Sequence, residues 1–270
     1  MSESRLAPAW ADLRARGRTA LIPYLTAGHP TVDTSLAALR AADRIADILE
    51  VGVPFSDPLA DGPAIQRSSF DALRQGMTLA GTLALIERAQ LSRPVVVFSY
   101  LNPILRYGAD RFLHDAAALG VAAVLLTDLP AGSDPAVESA IQASPLDLIR
   151  LIAPTTSVER LATAAAGAQG FLYLVARLGV TGATSGLADG LAESILRVRA
   201  ASTLPVAVGF GISTPTQAAI LAGQADGVVV GSALVEILGS RGVEAASEFL
   251  LSLREALDAA AVGSPAVAAR

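Results

Sequence analysis

The sequence predicts an α/β fold: a single-domain (β/α)8 TIM barrel with an extra N-terminal helix and a long catalytic loop after strand 2. Three observations carry this. Eight short, near-continuous apolar runs recur along the chain, as parallel strands buried on both faces require. Segments with helical spacing separate them, which is the rhythm of repeated βα units. The rival is an open doubly wound sheet, but no G-x-G-x-x-G follows the first run, and a count of eight favours closure.

The elements follow in order. Residues 1 to about 17, "MSESRLAPAWADLRARG", read as the extra helix, with Trp10 packing it over the barrel bottom. The strand candidates are "TALIPYL" (19–25), "DILEV" (47–51), "PVVVFSY" (94–100), "AAVLLTD" (122–128), "LIRLIA" (148–153), "GFLYLVA" (170–176), "PVAVGF" (205–210) and "DGVVVG" (226–231). Between the first two lies the helical pattern "TVDTSLAALRAADR". Before the last strand, "TPTQAAILAGQ" offers Thr214 as a cap and Pro215 for the first turn. The segment from Gly52 to Gln90 is long enough for a catalytic loop and an additional helix. No composition shift divides the chain, so residues 1–270 read as one domain, with residues 262–270 an expected frayed tail.

Composition bounds the function classes. The 270 residues are 52% hydrophobic, enough for a sizeable core, and carry 20 basic and 25 acidic side chains, a net charge of −5. No basic patch speaks for nucleic acid or an acidic membrane surface. Mean hydropathy is high at +0.51, yet charge, Gly or Pro breaks every apolar run well before the roughly 18 residues of a membrane span. The start has no continuous apolar stretch of the signal-peptide kind. With no cysteine, disulfides and thiolate chemistry are out. The expectation is a cytoplasmic protein.

Within this apolar chain, "ILEVGVPFSDPLADGPAIQ" (48–66) places Glu50 inside a core-like run and Asp61 on the loop beyond it. A carboxylate inside a barrel is costly unless paired, hydrated or used, and chemistry sits at the C-terminal ends of barrel strands. Glu50 lies at such an end. Two alternatives stay open: a buried acid satisfied by a neighbouring hydroxyl or amide for Glu50, and a turn former or helix cap for Asp61.

Glycine-bearing turns follow strands 6, 7 and 8: "RLGVTGAT", "VGFGIST" and "VVVGSALV". Glycine lets the backbone approach an anion, and a helix start adds N–H donors. Gly182, Gly209, Gly211, Gly231 and Ser232 form a candidate phosphate ring where barrels frequently bind phosphate. Without a lysine-bearing phosphate loop, a small organic phosphate fits better than ATP. Simple turn chemistry is the other reading.

The segments "LIPYLTAGHPT", "EVGVPFSDPLADGPAIQRS", "YLNPILRYG", "LLTDLP", "LIAPTT", "GFLYLVARLGVTGA", "GFGIST" and "GSALV" are spread along nearly the whole length of the chain. Through them it resembles the tryptophan synthase alpha subunit family. The resemblance implies the (β/α)8 fold and cleavage of indole-3-glycerol phosphate to indole and glyceraldehyde 3-phosphate in tryptophan biosynthesis. It implies no cofactor in this chain and a beta subunit carrying pyridoxal phosphate, in an alpha2-beta2 heterotetramer. It makes Glu50, Asp61 and Tyr173 the catalytic set. It assigns Tyr24, Phe98, Tyr100, Leu125, Asp128, Thr181 and Phe210 to the substrate, the phosphate to the glycine ring, and Pro54, Asp57, Asn102 and Pro103 to the beta interface. On that view "PFSDP" and "YLNPILRYG" are exposed loops; alternatively, such loops serve only to shape the pocket.

The chemistry fits the residue types. Retro-aldol cleavage needs indole C3 protonated, which a carboxylic acid with a raised pKa can do. The ring nitrogen then gains positive charge, which an ionised second carboxylate stabilises. Glu50 suits the first role and Asp61 the second, delivered by a loop able to close as a lid. His29, where family members often carry Asp, reads as a loop residue. His114 reads as a solvated helix face, and Arg177 as support for the loop after strand 6. No clustered His or acid spacing points to a metal. A non-catalytic activator of a beta subunit, a stand-alone indole-releasing lyase and a neighbouring barrel isomerase are the rivals.

Overall fold

The computed structural model describes residues 3–175, 184–209 and 211–263. Eight parallel strands close in chain order into a barrel: β1 (Ala20–Thr26), β2 (Leu49–Gly52), β3 (Val95–Ser99), β4 (Ala123–Leu126), β5 (Asp147–Ile152), β6 (Leu172–Val175), β7 (Val206–Gly209) and β8 (Gly227–Val230). β8 returns to β1 over Ala20↔Gly227 to Pro23↔Val230. The closed barrel is as expected, and every predicted run holds one strand.

Register sorts the side chains. Tyr24 pairs with Glu50, Leu151 with Tyr173 and Gly209 with Val229, so each pair shares a face of the sheet. Ile22, Tyr24, Ile48, Val96, Phe98, Leu125 and Val229 belong to one buried cluster, the barrel interior. Leu21, Leu49, Val51, Val97 and Val124 belong to a second, shared with the helices. Both faces are therefore apolar, which is why the strands read as continuous hydrophobic runs.

Helix α1 (Ala7–Ala15) closes the N-terminal end, its Trp10 meeting Phe171 edge-on at 5.6 Å. α2 (Val32–Asp43) starts at Thr31, whose side chain accepts from the Thr34 amide. The stretch after β2 holds α3 (Pro63–Arg74) and α4 (Leu79–Ala89), the first being the additional helix expected there. α5 (Leu101–Tyr107) corrects the reading of 100–108 as an exposed loop, and α6 (Ala109–Ala118) follows it. Pro103 falls in the first turn of α5, where a missing N–H costs nothing, and Gly108 ends the helix at φ 98°.

α7 (Pro135–Ala143) and α8 (Val158–Ala166) are capped by Asp134 and Ser157, and α9 (Thr184–Ala201) follows β6. α10 (Pro215–Leu221) has the expected Thr214 cap, completed by Gln217. The last helix, α11 (Ser232–Gly263), breaks at Gly242, φ 81°. Its far half is clamped under the barrel: Arg254 donates to Asp47 at 3.0 Å and to the Thr19 carbonyl at 3.1 Å, both ends of the ion pair being buried. No described helix is long and apolar enough to cross a membrane. Of the expected tail 262–270, residues 262 and 263 still belong to α11, and the rest lies outside the described residues.

Candidate active site

A cleft of about 470 Å³ opens at the C-terminal ends of the strands. Tyr24, Glu50, Phe98 and Tyr173 line it from β1, β2, β3 and β6; Asp61, Gly62 and Ile65 from the loop and start of α3; and Gly211, Val229, Gly231 and Ser232 from the β7 and β8 ends. Two glycines make room for its tyrosines. A Cβ on Gly52 would stand 2.0 Å from the Tyr24 hydroxyl oxygen, and one on Gly209 would stand 2.1 Å from that of Tyr173. Each tyrosine thus leans over a neighbouring strand that carries no side chain there. Phe98 meets Tyr24 edge-on at 5.2 Å.

Glu50 is 1% exposed, and neither carboxyl oxygen has a hydrogen-bond partner among the described residues. Burial pushes its pKa up to about 8. The reading of Glu50 as an acid satisfied by a neighbour therefore fails. Asp61 is half-buried. Burial raises it to about 6, against a hydrogen bond from Tyr100 that holds it down. Burial raises both Tyr24 and Tyr173, with Asp61 and Glu50 adding to it at Tyr24 and Glu50 at Tyr173, so both phenols stay protonated. Around neutrality the cleft holds one neutral and one ionised carboxyl group.

Tyr100 acts from the rim: its hydroxyl accepts from the Ala60 amide at 2.9 Å, and Phe55 stacks on its ring at 4.9 Å. Leu125 is fully buried in the barrel interior and does not line the cleft. Asp128 is corrected as a pocket residue. It is exposed and accepts from the Leu101 amide at 2.7 Å, satisfying a first-turn donor of α5. Thr181, Gly182, Phe210 and Arg177 lie outside the described residues.

Of the phosphate ring, Gly211, Gly231 and Ser232 meet at the cleft, Ser232 opening α11 with its free first-turn amides. Gly211 has φ 90°, a backbone that favours glycine. Gly209 is instead the notch under Tyr173. Sequence reasoning missed Gly52, Gly62, Ile65 and Val229. Gly52, Gly62 and Ile65 sat in the stretch that held Glu50 and Asp61, and Val229 just before the glycine turn after strand 8, but no residue type there carries a chemical signal of its own.

On the same rim, Pro54, Phe55, Asn102 and Pro103 line a second, open groove of about 990 Å³. Asp57 and Asn102 are exposed, but Pro54 is buried, which corrects its reading as exposed-loop surface. His29 is buried as well, 3.8 Å from Asp71, and burial lowers its pKa; His114 is exposed as expected. No group of three His, Cys, Asp or Glu among the described residues could hold a metal ion.

Comparison with known proteins adds independent findings. Residues 10–261 match the family model described as tryptophan synthase alpha chain. A protein of that name from Acidiphilium cryptum is 46% identical over 241 residues, covering 88% of this chain and 87% of its own length. One from Synechococcus elongatus is 44% identical, covering 92% and 95%. Among solved structures, a chain of Mycobacterium tuberculosis tryptophan synthase in its aminoacrylate-bound form superposes with TM-score 0.86 at 39% identity, covering 94% of this chain and all of that one. The tryptophan synthase alpha subunit of Legionella pneumophila gives 0.86 at 34% identity, with coverage of 96% and 100%.

Proposed function

This chain belongs to the tryptophan synthase alpha chain family, and from that premise we propose how its cleft works. The chain is a lyase of tryptophan biosynthesis that cleaves indole-3-glycerol phosphate. One observation carries the division of roles: two carboxyl groups share a cleft, and their pKa values are driven to about 8 and about 6.

Glu50, neutral at the working pH, donates its proton to indole C3. That turns the ring into a leaving group with positive charge at nitrogen. Asp61, ionised, accepts a hydrogen bond from the indole N–H and stabilises the charge. The bond from C3 to the side chain then breaks. Its electron pair returns to the ring, and Glu50 takes the proton of the side-chain hydroxyl as the aldehyde forms. No proton is gained or lost overall. Tyr173, beside Glu50, lies where the glycerol side chain reacts. Tyr24 and Phe98 flank the ring. The backbone amides of Gly211, Gly231 and Ser232 receive the phosphate at the α11 dipole. No step requires a cofactor in this chain. A beta chain supplying the pyridoxal phosphate chemistry docks on the rim that presents Asp57, Asn102 and Pro103.

The test is indole release from indole-3-glycerol phosphate. Glu50→Gln removes the proton donor and should cost kcat about 10²–10⁴-fold with KM little changed. Glu50 must be protonated and Asp61 ionised, so kcat/KM should peak between pH 6 and 8 and fall on either side. Near-normal turnover by folded Glu50→Gln would sink the assignment.

A further inference from the structure

We propose that the hydroxyl groups of Thr26 and Ser68 form a clamp that positions Asp61, an inference that rests on the role given to Asp61 above. The residues before Asp61 do little to hold it: Leu59 is 93% exposed and Ala60 is also exposed. From the β3 side, Tyr100 holds the Ala60 amide and the Asp61 carboxylate. From the other side, the Gln66 side-chain amide donates to the Asp61 carbonyl at 3.0 Å. Gln66 belongs to α3, which begins two residues after Asp61. Of these two anchors, the one through Gln66 is only as firm as the attachment of α3 to the barrel.

That attachment is polar where it approaches the cleft. Thr26, the last residue of β1, places Oγ1 2.7 Å from Ser68 Oγ, and the two residues are 1% and 0% exposed. Ser68 donates its one proton to the Ile65 carbonyl at 2.8 Å, so the proton between the two hydroxyls comes from Thr26. The Tyr24 hydroxyl lies 3.5 Å from Thr26. One line of hydroxyls thus runs from Tyr24 to Ile65, both of which line the cleft. Ala64 and Ala72 are also buried on α3, so an apolar contact would suffice to pack the helix. A directed hydroxyl pair adds what apolar packing lacks, a single rotational and axial setting of α3. Thr26 and Ser68 are positioning residues, since neither appears among the cleft-lining side chains.

The experiment compares Ser68→Ala, Thr26→Val and Thr26→Ser, each alone and combined with Asp61→Asn, in steady-state indole release by the full chain. Ser68→Ala and Thr26→Val should lower kcat about 10- to 100-fold, the cost of a misplacement near 1 Å, with KM little changed. Thr26→Ser keeps the hydroxyl and should keep most of the rate. In the Asp61→Asn background, neither Ser68→Ala nor Thr26→Val should cost anything more, because no charge remains to be positioned. Equal losses in both backgrounds would make the pair merely structural and overturn the clamp. So would an unchanged kcat in folded Ser68→Ala while Asp61→Asn is impaired. Wild-type turnover by Asp61→Asn would instead remove the role of Asp61 itself, and the clamp with it.

Discussion

Glu50 shows how much one residue can set against the fold that holds it. Its pKa lies near 4.5 in an open chain and about 8 in the barrel. The native state therefore favours the neutral acid. The stability tied to it is fully present below the open-chain value and lost as pH rises toward 8. Glutamine cannot ionise, so Glu50→Gln should gain stability relative to the parent with rising pH. The gain is about 1.4 kcal/mol per pH unit between pH 5 and 7, read by urea denaturation across that range. A pH-independent difference would mean that Glu50 titrates as an ordinary carboxylate. Such a residue is legible in sequence because an acid in an apolar strand breaks a pattern. Gly52 is not, because its reason is the Tyr24 ring on the next strand.

Among the elements, the strands were the most legible, since burial on both faces writes apolar character into every position. Residues 101–107 were misread because Pro103 and Gly108 look like breakers, yet both suit the ends of a short helix. Asp128 was drawn into the pocket by the resemblance, but the Leu101 amide opening α5 claims its carboxylate. In the reading proposed above, α5 and the Asp57 loop together form the rim on which a beta chain docks. Titrating the lyase with a cognate beta chain should accelerate indole release. The coupling expected is about 1–3 kcal/mol, because docking biases the segment that ends in Asp61. Asp57→Ala should weaken the acceleration more than the uncoupled rate. A flat titration of the parent protein, with no complex on a sizing column, would leave a stand-alone lyase.

Across the whole molecule, chemistry and anchoring occupy opposite ends of the barrel. The strand C-termini carry the cleft, and the other end carries α1 and the Asp47–Arg254 pair, which joins the end of the chain to its beginning. The partners are 207 residues apart in sequence, too far for any local pattern to reveal. Arg254→Met keeps the aliphatic bulk but leaves buried Asp47 with Arg18, 3.4 Å away, as its one remaining cation among the described residues. The expected loss is about 1.5–3 kcal/mol of stability, that of a charged hydrogen bond, with kcat unchanged at temperatures where the variant stays folded. A melting temperature equal to the parent's would show that the pair does not hold α11.

The two notches under the tyrosines have a consequence for how this cleft can be reshaped. Because Tyr24 occupies the space of a missing side chain at 52, and Tyr173 that at 209, pocket size is written in pairs across adjacent strands. A library randomised at 52 alone should return almost only glycine among folded members. Randomised together with 24, it should admit bulk at 52 wherever 24 has become small, trading one wall of the cleft for another. Independent tolerance at the two positions would show that the rings can move aside. If the pairs hold, a cleft for a ring other than indole is reached by exchanging partners across the 24/52 or 173/209 seam, and single substitutions at 52 or 209 are closed routes.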